Sequence, residues 1–297
     1  MKSRLLILCP GQGGQNAAMY DLARSEPHGA ALLTHLAAWL PTASTADGMF
    51  SNRSAQPAIV ASSLAMWEAL RRDCPPPALV AGYSVGELTA YSVAGALTPE
   101  RCVALAAQRA ALMDACVAPD RPQAMLAISG RRTAALRPQL APHGFHIAIE
   151  TGEDSCIAGG LAANSAAISI PGARIGALPV AVASHTPYLQ GAVEPFAKLL
   201  AQGDFGSFQA PVLGGIDATP IRGKDAAISH LSRQLAETIL WAECMDACAE
   251  RGITAALELG PGSALSKMLS ARHPGIECRS VADFRTLDGI RNWLAQV

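Results

Sequence analysis

The chain has 297 residues, half of them hydrophobic and 16% charged, with a formal net charge of −1. That length and composition support one large domain, or a large and a small one, around a sizeable buried core, and they exclude a disordered chain. The near-neutral charge without a basic block argues against nucleic acid as the main partner, and no run approaches the roughly 18 apolar residues of a membrane span.

Residues 4–9 read as a first buried β-strand. Its apolar run stops at Pro10-Gly11 and is too short for the core of a secretion signal. A glycine-rich loop, GQGGQ (11–15), follows, and helical patterns then run to about Leu40. Gln56-Pro57 is expected to open a helix over AIVASSLAMWEALRR that Pro75, Pro76 and Pro77 close. ALVAGY (78–83) reads as a second buried strand and VGELTAYSVAG (85–95) as a helix. Thr98-Pro99-Glu100 is a helix start, with a cap residue, proline at the first helical position and an acid in the first turn. That helix is expected to reach about Val117.

From about residue 122 to 180 the texture changes to short strand-like runs with turns between them: QAMLAISG, FHIAIETG, SCIAGG and ALPVAVASH (177–185). This predicts a small α+β insert. After His185 the strand–helix alternation returns, with helices over 188–202, 224–238 and 241–251. PVLGGID (211–217) reads as a strand, and AALELGPGSALSKML (255–269) as strand, turn and helix. The alternation implies a mostly parallel sheet with helices on both faces. The eight cysteines are scattered through apolar stretches. Cys244 and Cys248 are one helical turn apart, but no second ligand pair follows, so they read as buried small hydrophobes and no metal site is expected. Reduced thiols predict a cytoplasmic protein.

Gly82-Tyr83-Ser84-Val85-Gly86 fits G-x-S-x-G between a buried strand and a helix. In that setting a sharp turn projects the serine hydroxyl outward, and the helix N-terminus favours developing negative charge. The alternative is a small residue in a tight turn. A serine nucleophile needs a base. Of seven histidines, His185 has a positional hint: it closes the run ALPVAVAS, and ligands gather at the carboxyl ends of parallel strands. Arg109 sits on a helix that is apolar nearly all round, where a guanidinium must find an anion. Either an internal ion pair with Glu87 or a substrate carboxylate satisfies it. Val85 N–H and Gln12 in the glycine-rich loop are candidate oxyanion donors. The loop lacks the Lys-Ser/Thr of a P-loop and the spacing of a dinucleotide fold.

GQGGQ, QPA (56–58), GYSVGE, QRAALM, ASH, SRQL and ELGPGSAL stand in the order and spacing of the malonyl-CoA:acyl-carrier-protein transacylases, and the chain resembles that family over nearly its whole length. The resemblance implies an α/β-hydrolase-like large domain (1–121 and 181–297) with a mostly parallel sheet and an inserted ferredoxin-like subdomain (122–180). It implies Ser84 as the acylated nucleophile, His185 as base and then acid, and Arg109 as the clamp on the malonyl carboxylate. Gln234 would orient His185 through its backbone carbonyl, and the N–H groups of Gln12 and Val85 would form the oxyanion hole. Gln56 and Tyr83 are pocket candidates. Malonyl-CoA is the implied acyl donor, with no bound cofactor, and an acyl carrier protein is the implied partner. Three features depart from the fatty-acid enzymes: Tyr83 replaces the usual histidine, IETGEDSCIAGG replaces an asparagine-rich turn, and VASH replaces VPSH. The elbow GYSVGE and the single-module length resemble the transacylase (epsilon) subunit of malonate decarboxylase, which charges a carrier bearing a phosphoribosyl-dephospho-CoA group. The expectation is therefore malonyl transfer to that carrier. The alternatives are the fatty-acid or polyketide transacylase, a serine thioesterase, and a scaffold subunit with a dead site.

Overall fold

The computed structural model describes residues 4–40 and 47–297. β1 (Leu5–Cys9) is buried at every position and leads through the glycine-rich loop to α1 (Asp21–Arg24) and α2 (Pro27–Leu36). α3 (Asn52–Leu70) starts four residues before the expected Gln56, because Ser51 is extended and turns the chain into the helix there. Pro57 therefore lies inside the helix, where its missing N–H forfeits one hydrogen bond near the first turn. β2 (Leu79–Gly82) and α4 (Gly86–Val93) flank the elbow. α5 (Pro99–Asp114) begins as expected, with the Thr98 hydroxyl accepting from Arg101 N–H, but ends three residues short of Val117.

The next strands build a separate sheet: β3 (Gln123–Ser129), β4 (His146–Glu150), β5 (Ser155–Leu161) and β6 (Arg174–Leu178), with α6 (Thr133–Leu140) between β3 and β4. All pairings are antiparallel in the order β4-β5-β3-β6. This is a ferredoxin-like arrangement whose second helix is reduced to a short 3₁₀ segment, Ala162–Ala167. β6 corrects the reading of ALPVAVASH. The strand stops at Leu178, since Pro179 has no N–H for a ladder, and residues 179–184 are irregular. His185 thus does not close a strand of the parallel sheet.

α7 (Gln190–Ala201), the two-residue strands β7 (Val212–Leu213) and β8 (Pro220–Ile221), α8 (Lys224–Arg233) and α9 (Trp241–Glu250) follow. α8 ends five residues before the expected 238, with Gln234 as its C-cap. β9 (Ala255–Glu258), α10 (Ala264–Arg272), β10 (Glu277–Ser280) and α11 (Leu287–Leu294) complete the chain, and β8, β10 and α11 carried no signal in the reading above.

The large sheet has the order β10-β9-β1-β2-β7-β8 and is parallel except for β8. Alternation along β1 divides the core. Leu5, Ile7 and Cys9 pack into one cluster with residues of α3, α4, α5, α7 and α11. Leu6 and Leu8 face the other way, into a cluster shared by α9, α10 and the small-sheet residues Met125, Ala148 and Ile149. The small sheet keeps a further core of its own, with Leu126, Ile128, Leu136 and Phe145. Cys244 and Cys248 are buried in the second cluster. No described helix is long and apolar enough to cross a membrane.

Candidate active site

Because β9, β1, β2 and β7 run parallel, their carboxyl ends share one rim, where their glycine-containing loops begin: GPG (260–262), GQGG (11–14), the elbow and Gly214-Gly215. Ser84 is held there at φ 55, a left-handed conformation that L side chains rarely adopt. Both elbow glycines are sterically required. A Cβ on Gly86 would stand 2.1 Å from Cys9 O, and one on Gly82 would stand 2.3 Å from Glu87 N. Close packing of β1, β2 and α4 thus forces the turn that presents the serine.

Ser84 Oγ lies 2.8 Å from His185 Nε2, and His185 Nδ1 lies 2.6 Å from the backbone carbonyl of Gln234. A carbonyl can only accept, so Nδ1 carries the hydrogen and Nε2 is left to accept the serine proton. Burial, and then the nearby Arg109 charge, push the His185 pKa down to about 3, against the Gln234 contact, which raises it. The imidazole is neutral and ready to act as a base at neutral pH. With β6 ending early, His185 is placed by other means: it sits at φ 60, its N–H donates to Leu235 O, and Thr186 Oγ1 donates to Ala183 O.

Arg109 is 1% exposed. Its Nη1 donates to Gln56 Oε1 at 2.7 Å and contacts Met113 Sδ at 3.2 Å. Its Nη2 donates to Gln234 Oε1 at 3.3 Å and Ser84 Oγ at 3.4 Å. All four partners are neutral. Burial lowers its pKa to about 10, partly offset by Glu87, so the charge persists at neutral pH. The direct ion pair with Glu87 considered from sequence does not form: the Gln234 side chain stands between the two, with Nε2 donating to Glu87 Oε2 at 2.5 Å. Gln56 is fully buried and braced by Asn52 Oδ1 at 2.5 Å.

The glycine-rich loop lies against the elbow, since a Cβ on Gly11 would come within 2.8 Å of Tyr83 O. Among the described residues the backbone N–H groups of Gln12 and Val85 have no acceptor, which leaves them free for a ligand. Gln12 and Tyr83 line a cavity of about 770 Å³ between this rim and the small sheet, walled by Ala127, Ile157 and Leu178. Tyr83 packs edge-on to Trp241, with ring centroids 5.2 Å apart. His185 lines a second cavity of about 520 Å³. A further cavity, about 880 Å³, shares Pro261 and Gly262 with the first and touches none of these side chains. Among the described residues no group of three His, Cys, Asp or Glu side chains is placed to hold a metal.

The structure therefore gathers Ser84, His185, Gln234, Arg109 and Gln56 into one hydrogen-bonded cluster, with Val85, Gln12 and Tyr83 beside it. Met113 and the role of the Gln234 side chain were missed. Glu87 was weighed only as an ion-pair partner, although a lone acid on an otherwise uncharged helix between buried elements signals a buried charge.

Residues 7–277 match the model of the acyl transferase domain. The chain is 31% identical over 304 residues to malonyl CoA-acyl carrier protein transacylase from Mycobacterium tuberculosis, covering 97% of this chain and 99% of that protein. It is 27% identical over 293 residues to the enzyme of the same name from Escherichia coli, covering 89% and 91%. The crystal structure of MCAT from Mycobacterium tuberculosis superposes with a TM-score of 0.88 at 29% identity over 98% of this chain and 99% of that one. With the family model spanning most of its length and the mycobacterial relative aligned from end to end, the chain belongs to the acyl transferase domain family.

Proposed function

We propose that the protein transfers malonyl groups from malonyl-CoA to the thiol of an acyl carrier protein through a Ser84 acyl-enzyme. One observation carries the choice of acyl group: a buried guanidinium, with only neutral partners, 3.4 Å from the nucleophile's oxygen. An acyl group ending in a carboxylate gives the guanidinium a directly bonded anion, and a neutral acyl group leaves it with neutral contacts alone. A general thioesterase has no use for such a cation beside its serine.

The steps follow from the geometry. Ser84 Oγ attacks the thioester carbonyl while His185 Nε2 takes its proton. The Gln12 and Val85 N–H groups receive the oxyanion. The imidazolium, held by Gln234 O, returns the proton to the departing CoA sulfur, leaving malonyl-serine. A carrier thiol then attacks this ester, His185 takes the thiol proton and hands it to Ser84 Oγ as the serine leaves. Gln56 fixes Arg109, and Tyr83 forms part of the acyl-chain and pantetheine wall. Residues 122–180 act as an inserted subdomain whose sheet closes the cleft over the nucleophile.

The relatives reported above are malonyl CoA-acyl carrier protein transacylases, which favours a general acyl carrier protein over the malonate decarboxylase carrier suggested by the GYSVGE elbow and the single-module length. A malonylation assay with both carriers tests this. Transfer to the phosphopantetheine-bearing carrier protein is expected, and transfer only to the decarboxylase carrier would reverse the assignment.

A further inference from the structure

Glu87 stands three residues after the nucleophile and is wholly buried. Its Oε2 accepts from Gln234 Nε2 at 2.5 Å and from Gly215 N–H at 3.1 Å. Gln234 is pinned at three atoms: Nε2 to Glu87, Oε1 to Arg109, and the backbone carbonyl to His185. Arg109 can only donate and an ionised carboxylate can only accept, so the two opposite charges fix which way the amide points. We propose that Glu87 is a positioning residue: through the Gln234 amide it holds the carbonyl that orients His185 and balances the charge of Arg109. This rests on the acyl-transfer reading above.

The device is sensitive to protonation. Burial raises the Glu87 pKa to about 7, opposed by Gly215 N–H, His230, Gln234 and Arg109. The groups that face it are Arg109 from α5, His230 from α8, Tyr91 one turn along α4 and Cys244 on α9, with Asp217 beyond β7 acting on Tyr91 and Cys244 and bonded to His230. Glu87 Oε1 and the Tyr91 hydroxyl are both buried and face each other, and neither has a partner elsewhere, so a proton on Oε1 displaces no bond to any third group. Protonation leaves Oε2 a weaker acceptor for Gln234 Nε2 and removes the countercharge of Arg109. The ionised form, present above about pH 7, is the one that holds Gln234 and His185 in line.

The test is the pH dependence of single-turnover acylation by malonyl-CoA, normalised to the protein that acylates. Wild-type acylation is expected to rise with pH through a step near 7, a step His185 cannot produce because burial holds its pKa at about 3. Glu87→Gln, close in shape but without the charge, is expected to lose the step. Its acylation rate should fall roughly tenfold while half-saturating malonyl-CoA stays within about twofold, since Arg109 remains. Glu87→Asp keeps a charge and is expected to keep a step. A wild-type profile that is flat from about pH 5 to 9 overturns the proposal even if the variants do not fold, and so does Glu87→Gln with an unchanged step. A wild type that forms no malonyl-serine overturns the acyl-transfer reading, and this proposal with it.

Discussion

Arg109 and Glu87 are buried opposite charges that do not touch. An amide between them keeps each within reach of the other's field while leaving the guanidinium free to accept a further anion. That separation is what the proposed role of Arg109 as a substrate clamp needs, because a direct bidentate pair with Glu87 would occupy the donors a carboxylate requires. Arg109→Ala is therefore expected to cost malonyl-CoA about 1.5–3 kcal/mol of transition-state stabilisation, roughly 10- to 150-fold in kcat/KM. It should spare or raise acylation by acetyl-CoA. Competition between the two thioesters measures the ratio directly, and unchanged selectivity would refute the clamp.

The elbow is a packing product of three elements. β1, β2 and the start of α4 approach so closely that only hydrogen fits at Gly86, whereas Gly275 faces open space. Gly86→Ala is expected to destabilise by about 3 kcal/mol or more, or to prevent folding, while Gly275→Ala leaves the melting temperature nearly unchanged. Equal melting temperatures would show that the elbow relaxes without penalty. The same elements explain what could be read in advance. β1, β2, α4 and the start of α5 were legible because a continuous apolar run, the G-x-S-x-G turn and the Thr98-Pro99 cap are local signals. α3 was misread at its start because proline marks a first turn more often than an interior. The strand read over 211–217 exists but shrinks to Val212–Leu213, and β8, also of two residues, is too short for any periodicity. Ser84, His185 and Arg109 do come together in space, but the reason given for placing His185 there was wrong: its run belongs to no parallel strand, and a turn held by Leu235 and Ala183 delivers it. The Gln234 side chain joins residues 109 and 87, a contact that only the tertiary fold creates.

The two sheets share a core. Met125, Ala148 and Ile149 of the small sheet pack into the same cluster as Leu6, Leu8 and Trp241. Cutting the chain at the edges of the insert would expose that apolar surface, so the inserted sheet is bound to the large domain by packing as well as by connectivity. Urea unfolding followed by far-ultraviolet circular dichroism and by tryptophan fluorescence is expected to give one coincident transition. Two separated transitions would mean that the sheets fold as independent units. The shared core also fixes the cleft. Tyr83 and Gln12 form one wall and the small-sheet strands the other, around about 770 Å³ next to the elbow that carries Ser84.

The central claim, a malonyl-selective serine acyl-enzyme, is tested most directly by the intact mass of the protein after brief exposure to malonyl-CoA. Acetyl-CoA runs in parallel, with Ser84→Ala as the control. The account predicts a single malonyl adduct on the wild type, absent from the Ser84→Ala protein and absent with acetyl-CoA. Release of free CoA without any adduct would indicate a hydrolase, and neither adduct nor release would mean that the Ser84 cluster is assembled but inert. Either result would contradict it.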